Sequence, residues 1–83
     1  MNEEIRIYEE EHKLRALLPG EIDHHAARTL REKIDKKMFE SHPDVLLLDF
    51  SGVKFMDSSG IGLILGRAEI AMEMGATVQV VGL

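Results

Sequence analysis

Eighty-three residues are enough for one small domain, and a domain of that size buries only about 60% of the surface its unfolded chain exposes. Cysteine is absent, which excludes disulfides and thiolate metal sites and favours a cytoplasmic location. Net charge is −5, with 15 acidic against 10 basic residues, so nucleic acid is a poor partner, and no apolar run approaches the roughly 20 residues of a membrane span. The start, Met1-Asn2-Glu3-Glu4, is polar and acidic and lacks the apolar stretch of a signal peptide.

In chain order, Ile5 and Ile7, then Leu14, Ala16 and Leu18, alternate at period two and predict two half-buried strands. The polar stretch Glu9 to Lys13 between them reads as a hairpin turn, and Pro19-Gly20 stops the second strand. Asp23 is placed to cap a helix running to about Glu40. Ala27, Leu30, Ile34 and Met38 form its apolar stripe, with Arg28, Arg31, Glu32, Asp35 and Lys36 off it. Pro43 ends that helix. Val45 to Leu48, followed by Asp49, predicts a central strand buried on both faces. Ser51 to Asp57 read as a loop, and a second helix runs from near Ser58 to Gly75, a residue suited to a left-handed terminus. Thr77 to Val81 predict a fourth strand. The order ββαβαβ makes the fold α/β, an N-terminal antiparallel hairpin followed by parallel strands joined through helices.

The segment Phe55-Met56-Asp57-Ser58-Ser59-Gly60-Ile61-Gly62 carries the most information. As local structure it is a capped helix start, with Asp57 or Ser58 as the cap. As a site it lies beyond the carboxyl end of the central strand, where α/β folds bind ligands. Asp23 occupies the equivalent place after the preceding parallel strand, so both helix N-termini should emerge on one sheet edge. Such ends favour an anion. A phosphoryl group on Ser58 would bring roughly −1.5 to −2 charge at pH 7, softened by the helix end and opposed by Glu21, Asp23 and Asp57. Catalysis by Ser58 is disfavoured: the hydrolase elbow Gly-x-Ser-x-Gly lacks its first glycine, and no triad-like pattern follows. His24 and His25 are adjacent, hence about 100° apart on a helix, and cannot share a metal ion as an i, i+4 pair does. No cofactor is expected. Gly60, Gly62 and Gly66 form no phosphate loop and are read as close packing of backbone against a neighbour.

The second helix is apolar on two sides. Ile61, Ile64, Leu65, Ala68 and Met72 are assigned to the sheet. Leu63, Ile70 and Met74, with Arg67 beside them, are assigned to the opposite side, as a surface that binds a partner or lies beneath further C-terminal structure.

Gly20-Glu21-Ile22-Asp23-His24-His25 and Met56-Asp57-Ser58-Ser59-Gly60-Ile61-Gly62, continued by Ile64-Leu65-Gly66-Arg67, resemble the STAS domain of anti-sigma-factor antagonists across the whole chain, and in particular its sigma-F, sporulation branch. The resemblance implies a partner switch without enzymatic activity. The unphosphorylated antagonist binds an anti-sigma factor that is also a serine kinase using ATP, and so frees the sigma factor. Phosphorylation of the motif serine, here Ser58, ends the complex, and a serine phosphatase restores it. Glu21, Asp23, Asp57, Ser59 and Gly60 then belong to the switch surface, and Leu63, Arg67, Ile70 and Met74 to the partner face. The resemblance also implies that residues 1–83 are a single STAS domain lacking its C-terminal strand and helices. Two other readings stay open: a STAS module of another kind, such as a general-stress antagonist or stressosome component, and a nucleotide-binding protein.

Overall fold

The computed structural model describes residues 5–83, so the acidic start, Met1 to Glu4, lies outside them. The elements are β1 (Arg6–Glu10), β2 (Lys13–Leu17), β3 (Glu21–Ile22), α1 (His24–Ser41), β4 (Val45–Asp49), β5 (Phe55–Met56), α2 (Ser58–Glu73) and β6 (Thr77–Val81). Four strands form one sheet in the order β1-β2-β4-β6. The hairpin partner β1 is antiparallel to β2, and the helix-joined strands β2, β4 and β6 are parallel. The stretch read as a loop after Ser51 contains β5, which pairs with β3 in a separate two-stranded sheet. Two residues are too short a run for periodicity to reveal.

The hairpin turn is tighter than the charge run suggested. Only Glu11 and His12 form it, both left-handed with φ of 44° and 67°, a twist that matches the flanking strands. The His12 carbonyl accepts a hydrogen bond from Asp44 N at 2.6 Å, tying the turn to the start of β4.

Leu14, Ala16, Leu46 and Leu48 are fully buried and form one cluster with Leu30, Ile34 and Met38 of α1 and Leu63 and Ala71 of α2. β4 is central, yet Val45 and Leu47 are only half-buried. The expectation of burial on both faces is therefore corrected: among the described residues, both helices cover the same side of the sheet. On the outer side Arg15 reaches Asp49 at 3.5 Å and lies over the Tyr8 ring, 5.8 Å from its centroid. At the end of β4, Asp49 Oδ1 accepts from Ser51 Oγ at 2.6 Å and Ser51 N at 2.9 Å, fixing the turn that leaves the sheet.

α1 follows its predicted stripe, with Leu30, Ile34 and Met38 buried. His42 closes it in the left-handed conformation, φ 48°, its N–H returning to Met38 O. α2 is rotated from the sequence assignment. Its buried residues are Gly60, Leu63, Arg67 and Ala71, while Ile61, Leu65 and Met72 are 48%, 66% and 78% exposed. The buried face includes a charge pair. Arg67 Nε lies 2.7 Å from Asp35 Oδ1 of α1, with the Arg67 side chain 4% exposed and Asp35 21%. The two atoms are not aligned for a hydrogen bond, so the contact is an ion pair. Burial pushes the Asp35 carboxyl up and the Arg67 guanidinium down, and their mutual attraction opposes both shifts. A counter-ion supplied by α1 lets a charged residue join the inner face.

Two outcomes follow from these charges. Asp35→Ala leaves Arg67 buried without its counter-ion and should destabilise the fold by about 3 kcal/mol, whereas Asp35→Leu with Arg67→Met, which removes both charges, should change stability far less; urea denaturation measures both. Asp49 is held below the usual carboxylate range, by the Ser51 hydroxyl first and the Ser51 N–H next, with Arg15 assisting. A depressed folded pKa stabilises above the unfolded value of about 3.9 and loses that effect as pH falls through the folded value. The stability gap between wild type and Asp49→Asn should thus be full at neutral pH and close in strong acid, as followed by urea melts across pH.

Candidate functional site

The two-stranded sheet builds the site. Glu21 pairs with Phe55 and Ile22 with Met56, in parallel register. Lys54 N and Phe55 N bond to Gly20 O at 2.6 and 3.1 Å, and Asp57 N bonds to Ile22 O at 3.1 Å. Each strand then turns directly into a helix. The next residues, Asp23 and Asp57, are therefore neighbours, and each is an N-cap with extended backbone. Asp23 Oδ1 accepts from Ala26 N and Asp57 Oδ1 from Ser59 N, both at 2.8 Å. The expectation that both helix N-termini share one edge holds, and this short pairing is how it is achieved.

Capping by Asp57 settles which residue does that work. Ser58 is the first residue of α2 and exposed; Ser59 is half-buried. Glu21 and Asp23 are exposed and Asp57 is half-buried, so three carboxylates share the edge with an accessible hydroxyl. At the start of α2 the amides of Ser59 and Gly60 are engaged, Ser59 N by the Asp57 carboxylate and Gly60 N by Asp57 O at 3.0 Å, and the cap's own Asp57 N by Ile22 O. The edge therefore presents an exposed serine hydroxyl beside a capped helix start. Gly60 is buried, and a Cβ there would collide with Cγ and Sδ of Met56. Close packing is correct for Gly60 but not for Gly62 and Gly66, where a Cβ would meet nothing within 4 Å.

The four residues assigned to a partner face lie elsewhere than expected. Leu63 and Arg67 are 3% and 4% exposed, inside the fold, and Ile70 and Met74 are half-buried against the core. The apolar side chains that α2 exposes are Ile61, Leu65 and Met72. Asp35 and Met56 were not singled out from sequence. A lone Arg among the apolar residues of α2 was the available signal that a carboxylate had to meet it. Among the described residues, no group of three or more His, Cys, Asp or Glu could hold a metal ion, and no helix is long and apolar enough to cross a membrane.

The STAS domain profile matches residues 4–83. The chain belongs to the STAS-domain family. Over 60 residues this STAS chain is 42% identical to an anti-sigma F factor antagonist of Lysinibacillus sphaericus, covering 71% of the chain and 51% of the relative. Over 80 residues it is 32% identical to an anti-sigma F factor antagonist of Paenibacillus polymyxa, covering 96% of the chain and 68% of the relative. The fold matches the anti-sigma factor antagonist SpoIIAA in its unphosphorylated form with a TM-score of 0.78 and 30% identity, over 90% of this chain and 66% of that one. It also matches the Bacillus cell fate determinant SpoIIAA in its phosphorylated form, with a TM-score of 0.76 and 30% identity over 90% of this chain and 68% of that one. The STAS chain thus spans 51% to 68% of the lengths of these proteins.

The Gly60–Met56 contact can be tested directly. Gly60→Ala should lower stability by about 1–3 kcal/mol through overpacking. Adding Met56→Ala should recover part of that loss, so that the double variant is less destabilised than the sum of the singles in urea melts.

Proposed function

We propose that this STAS domain is an anti-sigma-factor antagonist whose binding state is set by phosphorylation of Ser58. The observation that carries the reading is the placement of Ser58: an exposed hydroxyl at the first position of α2, beside a cap made by its neighbour and on an edge shared with Asp23 and Glu21. The names of the relatives support the antagonist role, and the existence of SpoIIAA in unphosphorylated and phosphorylated forms supports the switch.

In this reading the unphosphorylated edge docks on an anti-sigma factor with serine kinase activity, and docking releases the sigma factor, sigma-F by the likeness of the relatives. The kinase brings the γ-phosphate of ATP to Ser58 Oγ. After transfer, phosphoserine faces the phosphates of ADP and lies among Glu21, Asp23 and Asp57. Phosphoserine against the phosphates of ADP brings like charges together in a desolvated interface, which opposes the complex, so the partner leaves. A serine phosphatase returns the hydroxyl. The domain performs no catalysis, requires no cofactor and works in the cytoplasm, where ATP and the sigma factor are found. One STAS domain over residues 1–83 suffices to carry the edge.

The new charge need not unfold the domain. An anion at a helix N-terminus is favoured by about 0.3–1 kcal/mol, which offsets repulsion from Asp57. Ser58→Ala should therefore take up no phosphate from an anti-sigma F factor kinase and ATP, while still binding it. Ser58→Asp should lose affinity with a thermal melt close to wild type. Phosphate incorporation undiminished in Ser58→Ala, mapped by mass spectrometry, would place the modification elsewhere.

A further inference from the structure

Behind the acidic edge the surface changes sign. A groove of about 510 Å³ runs between α1 and α2, and its lining includes Arg28, Arg31, Arg67 and Ser59. Arg31 acts on both members of the buried pair, favouring the Asp35 carboxylate and opposing the Arg67 charge. Three guanidiniums thus gather where Asp35 is the paired carboxylate, in a chain whose net charge is −5. Arg28 and Arg31 are exposed and one helical turn apart.

The walls fit the same purpose. Gly62 and Gly66 line the groove, and a Cβ on either would meet nothing within 4 Å, so packing does not require glycine at these positions. Their bare backbone leaves room for another chain to lie close. From Ser59 to Arg67 the groove follows eight residues of helix, about 12 Å at 1.5 Å per residue. That length suits three or four extended residues. Two helix-start amides at its mouth, Ala26 N and Ser59 N, are taken by Asp23 and Asp57; the guanidiniums along the groove supply donors whose planar forks match carboxylates. Among the described residues, no Phe, Tyr or Trp lines the groove to stack a nucleobase.

We infer that this groove receives an acidic segment of the same protein partner that engages Ser58, with carboxylates seated on Arg28 and Arg31. The inference rests on the partner-binding reading above and adds the chemistry by which the partner is recognised. Charge complementarity and continuity through Ser59, which belongs to both the edge and the groove, favour a segment of that partner over a separate ligand.

The test uses calorimetric titration of the protein with a purified anti-sigma F factor, alongside thermal melts. Arg28→Gln with Arg31→Gln should weaken binding by about tenfold or more. Gly62→Leu with Gly66→Leu fills open space, so the melt should not fall while affinity drops comparably. Wild-type binding matched within about twofold by both variants, at unchanged melting, would overturn the groove and leave the Ser58 reading standing. Failure of the wild type to bind at all would overturn the partner reading and the groove with it. Titration of the protein alone with ATP, followed by amide NMR, gives the remaining arm: saturable shifts confined to the groove would assign it to a phosphate ligand and overturn the inference.

Discussion

Glu21 and Ile22 meet Phe55 and Met56 through a backbone pairing of two residues each, and the position of both helices depends on it. The pairing is parallel, so the chains leave it in the same direction and turn at adjacent residues, Asp23 and Asp57. Had the register slipped by one residue, the caps would no longer be level. The hydrogen bonds from Lys54 and Phe55 to Gly20, and from Asp57 to Ile22, extend the pairing on both sides and hold that register. Ser58 owes its place on the edge to this arrangement rather than to anything special in its own side chain.

Much of this was visible in sequence because local chemistry speaks for it. Asp23 and Asp57 are short acids immediately before helical patterns, and both cap as such residues do. The stripe Leu30, Ile34, Met38 is unambiguous because charged residues occupy the rest of α1. β3 and β5 were not visible: with two residues apiece they carry no period, and their pairing is a matter of distant chain segments meeting.

The rotation of α2 failed for a different reason. Its larger apolar set, Ile61, Ile64, Leu65, Ala68 and Met72, was assigned to the sheet, and Arg67 lay beside the other set. A helical wheel contains only its own residues, so it cannot show that Asp35 on α1 neutralises that arginine. The same limit applies to glycine. Gly60, Gly62 and Gly66 look alike in the sequence, but one is pressed against Met56 and two border open space. Leu63, read as surface, is core as a consequence of the same rotation.

Among the described residues the sheet is covered by helices on one side, with Val45, Leu47 and Arg15 half-buried on the other. Less apolar surface is then exposed on unfolding than in a domain of equal length with both faces covered. Heat capacity of unfolding scales with that surface, so it should fall below the usual 12–15 cal/mol/K or so per residue. The stability curve becomes shallower, changing little between cold and physiological temperature. Near its upper crossing, a small domain has a small entropy of unfolding, and about 1 kcal/mol then moves the melting temperature by roughly 4–8 °C. For residues 5–83, one covered face thus implies low sensitivity to cooling and a melting temperature that responds readily to anything that loads or relieves the folded state.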